Sequence, residues 1–208
     1  MDEGKILIVN LSKGKIGEDN CALLGAMIVT KIQLTGLSRG DIPEWKRRPF
    51  YFYVDEIQNF LTQSFCDILS EARKYGLCLT LTHQYIEQLE EEVRCSVFGN
   101  VGTLITFRIG ARDAQLLEKE FLPVFDQKDL VNLPNYHIYL KLMINGMTSK
   151  PFSAATFPSP ESKGSSRNKI IESSRMNFCR PRAEVEKQIM VRNALGEKTS
   201  PRQMRIFT

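Results

Sequence analysis

Asp55 and Glu56 are adjacent carboxylates that directly follow the run Phe50-Tyr51-Phe52-Tyr53-Val54. Five aromatic and β-branched residues in a row predict a strand buried on both faces, as in the middle of a parallel sheet. Open α/β sheets bind their ligands at the C-terminal ends of such strands. Acids there are costly to desolvate unless they hold a metal, a donor or a proton. The chemistry that fits is Asp55 organising Mg²⁺ around a nucleotide and Glu56 activating water. The plain alternative is a strand that surfaces into a loop beginning with two solvated acids.

Other polar side chains fall at the ends of predicted strands: Asn10 and Ser12, His83 and Gln84, and Arg108. Right-handed crossovers would bring these ends to one edge of a sheet. Phosphoryl transfer needs a carboxylate for Mg²⁺, a base, an amide that positions water and a cation for developing charge. Gln84 could touch a terminal phosphate or the attacking water; otherwise it caps the following helix. Arg73 and Lys74, expected near the rim of the site, could reach a neighbouring subunit as an arginine finger, or simply complement a helix dipole. One part is missing. No G-x-x-x-x-G-K-[ST] occurs in the 208 residues, and neither Ser12-Lys13-Gly14-Lys15 nor Arg39-Gly40-Asp41 replaces it.

The elements that must position these residues follow from periodicity. Residues 5–11 (Lys-Ile-Leu-Ile-Val-Asn-Leu) predict a strand, residues 21–36 a buried helix ending at Gly36, and residues 50–54 the central strand. A helix over 62–75 ends on Arg73-Lys74-Tyr75-Gly76, cations then glycine. Further strands are predicted over 77–82 and 101–107. One or two short helices fall over 85–98, and a helix capped by Asp113 over 114–121. Residues 123–134 read as a connection. Residues 137–156 form a hairpin turning at Asn145-Gly146. The order predicts an α/β fold, a mostly parallel sheet with an antiparallel edge hairpin.

Residues 1–157 form one domain. Residues 158–168 read as a linker, 183–195 as a helix, and the last dozen residues as frayed. Charge divides the same way. Residues 158–208 carry eleven Lys/Arg against five Glu, while residues 1–157 carry seventeen Lys/Arg against nineteen Asp/Glu. A basic tail suits nucleic acid or an acidic partner, though such tails are often only solvated. The five cysteines form no CxxC pair and there are two histidines, so the expectation is reduced thiols and no zinc site. No apolar run approaches the ~20 residues that span a bilayer, and no signal-peptide pattern opens the chain.

Several stretches occur in one order: Lys5-Ile-Leu-Ile-Val-Asn-Leu-Ser-Lys-Gly14, Phe52-Tyr-Val-Asp-Glu56, Ser70-Glu-Ala-Arg-Lys-Tyr-Gly-Leu77, Leu81-Thr-His-Gln84 and Phe107-Arg-Ile-Gly110. Over residues 4–157 they resemble the C-terminal half of HerA/FtsK-type ATPases, and most of all the conjugative DNA-transfer coupling proteins of type IV secretion (TraG/TraD type). That resemblance implies part of a RecA-like P-loop core, ATP and Mg²⁺ as cofactors, and a ring, usually a hexamer, that pumps DNA. Type IV secretion components are implied partners. Localisation would be cytoplasmic, with membrane association through a missing N-terminal part or partners. By position, Asp55 is the Walker B ligand of Mg²⁺, Glu56 the catalytic base and Gln84 the polar sensor. Arg73 is the trans-acting arginine finger and Arg108 a second interfacial cation. The Walker A strand and helix would lie upstream of Lys5, so Met1 is expected to mark a start inside a longer frame, a fragment or a split gene. The chain alone is then expected to be inactive. The alternatives are a non-catalytic module that keeps the fold to bind DNA or protein, or a fragment without an independent role.

Overall fold

In the computed structural model, the described residues are 1–60, 63–160 and 166–198. The chain divides into two units, residues 1–157 and 158–208. Within the first, β1 (Phe50–Val54) and β2 (Leu77–Leu81) pair in parallel, with Phe50 opposite Leu77 and Val54 opposite Leu81. The crossover between them is α3 (Gln63–Glu71) followed by a 3₁₀ turn (Ala72–Tyr75). Gly76 ends that turn at φ 68°, a left-handed position glycine occupies without strain.

Ahead of β1 stand the short α1 (Lys13–Ile16) and the long α2 (Glu18–Leu37). Cys21, Gly25, Val29, Ile32 and Gly36 recur at helical spacing and form the buried face of α2. Its glycines permit close packing. A Cβ on Gly25 would lie 2.1 Å from Phe60 Cδ1, and one on Gly36 2.7 Å from Leu77 Cδ1. The opposite face exposes Leu23, Leu24, Met27 and Leu34. The helical stretch Glu18–Asp41 is long and apolar enough to cross a membrane by length and composition alone, its most apolar 18 residues having a mean hydropathy of 1.4. This corrects the expectation that no apolar run approaches that length.

The rest of the first unit holds α4 (Glu91–Asn100), β3 (Leu104–Thr106), α5 (Ala111–Phe121), α6 (Gln127–Asn132) and β4 to β7 (His137–Lys141, Met143–Ile144, Met147–Thr148 and Phe152–Ala155). A three-stranded antiparallel sheet has the order β3-β4-β7, and β5 pairs with β6 as a separate hairpin. Asn145 (φ 50°) and Gly146 (φ 79°) turn that hairpin with the positive dihedrals such tight turns require.

The α/β class holds, but among the described residues the single, mostly parallel sheet does not form. One parallel pair and two small antiparallel sheets take its place. Residues 5–11 are not a strand: they carry no ladder hydrogen bonds, and Ile6, Leu7 and Ile8 are exposed. β1 is not buried on both faces. Phe50, Phe52 and Val54 turn inward, while Tyr51 and Tyr53 are 63% and 71% exposed. Asp113 is no cap. It lies inside α5, which starts after Gly110, and its buried carboxylate accepts from the Glu87 N–H at 3.2 Å. The connection expected at 123–134 contains α6, closed by a reciprocal Asp126–Asp129 capping box.

Among the described residues, three buried clusters hold this unit, the smallest of them Cys66, Val93 and Val97 between α3 and α4. Val29, Val54, Phe65, Ile68 and Leu77 fill the first, between α2, α3 and the parallel pair. Ile86, Ala114, Leu117, Phe121 and Leu130 fill the second, between α5 and α6. Each large side chain buried there stabilises by about 1.5–3 kcal/mol. In the second unit, α7 (Arg167–Phe178) has no buried residue and α8 (Arg182–Lys198) follows it. Residues 161–165 of the expected linker and the frayed end over 199–208 lie outside the described residues.

Candidate functional site

The site grows out of the register of the parallel pair. Val54 opposes Leu81, so Asp55 and Thr82 emerge side by side at the C-terminal edge. The ladder continues one step beyond the strands: Thr82 N–H donates to Val54 O and Ile57 N–H to Thr82 O, each at 3.0 Å. The Thr82 hydroxyl donates to Asp55 Oδ1, which also accepts from the Glu56 N–H at 3.1 Å. One carboxylate oxygen of Asp55 is thereby fixed.

Glu56 sits at φ 50°, ψ 53°, left-handed backbone that a non-glycine residue rarely adopts. This is a strained position of the kind that collects at functional sites. The twist sends its side chain between two amide donors. Gln84 Nε2 donates to Glu56 Oε1 at 2.9 Å, and Asn59 Nδ2 to Glu56 Oε2 at 3.2 Å. Asn59 also donates to the Glu56 carbonyl at 3.1 Å, closing the 3₁₀ turn Ile57–Asn59 around the acid.

Asp55, Glu56 and Asn59 border an open cleft of about 1250 Å³ between residues 4–13, α2 and β1. Asn10, Ser12, Lys13, Asp55, Glu56 and Asn59 all line it. Lys13 pairs with Glu18 at 3.0 Å, and that hydrogen bond is the main cause of its raised ammonium pKa; the Glu56 charge adds a smaller push in the same direction. His83 lies between the two site residues of the β2 end. Burial pushes its pKa below the usual imidazole value against a weaker opposing pull from Asp113. Among the described residues its buried Nδ1 has no hydrogen-bond partner.

The structure thus brings together Asp55, Glu56 and Gln84, and places Asn10 and Ser12 on the same cleft. It does not bring in Arg73 or Arg108. Arg73 precedes β2, at the N-terminal edge of the parallel pair, a strand length of roughly 16 Å from the acids. That corrects its expected place near the rim of the site. Arg108 follows β3 in the other sheet and is exposed. Thr82 and Asn59 escaped sequence reasoning. Counting both strands from their starts pairs Asp55 with Thr82, and Asn59 stands three residues after Glu56, where a 3₁₀ turn returns.

Two carboxylates with a hydroxyl and two amides suit a hard cation held largely by water and phosphate. Among the described residues no group of three or more His, Cys, Asp or Glu is placed to hold a metal by itself. The residues present therefore fit the metal side of a Mg²⁺–nucleotide site, while no phosphate-cradling loop occurs in the sequence.

Residues 49–119 match the family described as the TraM recognition site of TraD and TraG. No curated protein sequence matches the chain. Among solved structures, the plasmid coupling protein TrwB in complex with ADP and Mg²⁺ is similar at TM-score 0.53 and 18% identity, over 65% of this chain and 37% of that one. The unbound monoclinic form of the bacterial conjugative coupling protein TrwBdeltaN70 is similar at TM-score 0.51 and 18% identity, over 64% and 37%. TrwB with the non-hydrolysable ATP analogue ADPNP is similar at TM-score 0.51 and 19% identity, over 64% and 36%. The chain spans little more than a third of the length of these solved structures, and at such identity the likeness is one of fold. The family match is confined to residues 49–119, and over those residues the chain is similar to the TraM recognition segment of TraD and TraG.

Proposed function

We propose that this chain is the C-terminal segment of a DNA-translocating motor ATPase of the conjugative coupling type, working within a RecA-like ring, usually hexameric. The observation that carries this is the carboxylate pair at the end of the parallel strands, with Asp55 fixed by Thr82 and Glu56 held between Gln84 and Asn59. A bound Mg²⁺–ATP would supply the electrophilic phosphorus and the metal charge that polarises it. Asp55, with one oxygen engaged, offers the other to the metal through water. Glu56 is the base that takes a proton from the attacking water, and Gln84 and Asn59 hold its carboxylate in that direction. Gln84 also senses the terminal phosphate. Arg73 acts in trans on a neighbouring subunit's site, and Arg108 is a second interfacial cation. The phosphate-binding loop comes from polypeptide outside these 208 residues.

Two preparations test this: the 208-residue chain alone, and the same chain joined to or mixed with a P-loop-bearing coupling-protein segment. The chain alone should show no Mg²⁺-dependent ATP hydrolysis; the completed protein should hydrolyse ATP. In the completed protein Glu56→Gln should lower kcat by about a hundredfold or more with nucleotide affinity retained. Unchanged hydrolysis by that variant would remove Glu56 from its role.

The family match favours a second reading. Residues 49–119 match a segment described as a recognition site for TraM, and the chain would then serve as a protein-binding module without catalysis. Binding of a purified cognate TraM-type protein by the 208-residue chain, with the completed protein inactive, would favour that reading.

A further inference from the structure

The segment that follows β2 is held at both ends. At one end Thr82 and Gln84 reach the two acids. At the other, three consecutive residues of α5 grip the 3₁₀ turn Ile86–Gln88. Ala114 packs with Ile86 in the second core. Asp113 Oδ1 accepts from the Glu87 N–H at 3.2 Å, and Arg112 Nη1 pairs with Glu87 Oε1 at 2.6 Å. Both partners of the Arg112 pair are exposed, so that pair holds little. Asp113 is different. It is the only buried carboxylate among the described residues, at 4% exposure. An acid in the first turn complements the helix dipole, but it does so equally well from the surface. Burial adds a desolvation cost that the dipole does not require. What the buried position supplies is an acceptor for Glu87, whose N–H lies ahead of the turn's own hydrogen bonds, from Gln88 to Tyr85 O and from Leu89 to Ile86 O. His83, between the two site residues, is half-buried and lies within reach of the same charge.

We infer that Asp113 is a positioning residue for the water-activating acid: by holding the Glu87 amide it fixes the segment from which Gln84 reaches Glu56. The inference rests on the nucleotide-site reading above. Gln84 is a long, exposed side chain, and its 2.9 Å contact to Glu56 Oε1 is kept only while its backbone stays in place. β2 stops at Leu81, and its ladder carries one step further, to Thr82. Beyond that the next fixed points are Ile86 and Glu87, both held by α5. An error of roughly 1 Å in a supporting contact is enough to spoil a functional site. Without the acceptor, Gln84 would swing on a segment tied mainly at Ile86, and Glu56 would lose one of its two amide donors. Gln84 and Glu56 act on the attacking water, so the loss falls mainly on kcat.

Two readouts test it. The first is structural and uses the 208-residue chain without nucleotide. Glutamine is labelled with ¹⁵N, and the Gln84 side-chain amide signal is assigned by its loss in Gln84→Ala. In the wild type that signal should stand apart from those of freely moving glutamines. Asp113→Leu, which fills the space without an acceptor, should return it to the free position. Asp113→Asn, which keeps an acceptor, should leave it in place. The second readout is kinetic and uses the completed protein. Asp113→Leu should lower kcat about tenfold with KM for ATP little changed, and Asp113→Asn should recover most of the loss. In a Gln84→Ala background Asp113→Leu should lower kcat by no more than about twofold, because both changes remove the same contact. Urea melts show which variants are folded, and should Asp113→Leu not fold, Asp113→Ala takes its place. A Gln84 signal unmoved by loss of the acceptor, or kcat losses that multiply in the double variant, would overturn the inference. So would an Asp113→Asn variant as impaired as Asp113→Leu. No hydrolysis by the completed wild-type protein, with the amide signal moving as described, would instead overturn the nucleotide-site reading and leave the tie between Asp113 and Gln84 standing.

Discussion

At the scale of single residues, Glu56 concentrates the conflict between folding and function. Left-handed backbone costs a β-carbon-bearing residue about 1–2 kcal/mol, and the two amide contacts at its carboxylate, one part-buried and one exposed, do not offset all of that. Such a position is kept where the direction of the side chain matters more than stability. Asparagine visits this conformation with little penalty. Glu56→Asn should therefore raise the stability of the isolated chain by about 0.5–1 kcal/mol in urea unfolding while ending hydrolysis in the completed protein. A lower midpoint than wild type would show that Gln84 and Asn59 contribute more than the backbone strain removes.

Among the elements, α2 shows how a long apolar helix is tied to a sheet by missing side chains. Gly25 leaves room for the Phe60 ring, and Gly99 in α4 faces open space, with nothing within 4 Å of an added Cβ. Alanine in a helix is favoured over glycine by about 1 kcal/mol. Gly99→Ala should gain up to that amount. Gly25→Ala should lose about 1–3 kcal/mol because the ring must move out of a packed core. Matched denaturant melts of the two variants compare the effects, and equal gains would mean that the α2 contact yields freely. The same elements show what could be read from the sequence. Residues 50–54 and 77–81 were legible as strands because β-rich runs end abruptly in polar or turn residues, and Asp55, Glu56 and Gln84 came with them. Residues 5–11 read identically, yet pair with no strand and are exposed up to Leu11, because a strand is defined by its neighbour and no local pattern supplies one. Crossover rules place strand ends on a common edge only within one sheet, so Arg108, in a second sheet, could not be located that way. The Asp55–Thr82 contact depends on register, which strand ends predicted to within a residue or two do not specify.

For the whole molecule, the division at residue 157 separates a packed body from a charged appendage. α7 has no buried residue, so the second unit carries little of the apolar burial that stabilises folding. It does carry the charge: its eleven Lys/Arg stand against five Glu, while the body alone is net acidic. Removing residues 158–208 should therefore leave the unfolding midpoint of the body within about 0.5 kcal/mol of wild type. The same truncation should sharply lower retention on heparin and the salt dependence of DNA binding, since fewer phosphate contacts release fewer counterions. If salt-dependent binding is undiminished in the truncated chain while the body stays folded, the basic second unit is not the nucleic-acid surface. If the midpoint collapses instead, the two units share a fold that the absence of buried residues in α7 does not reveal.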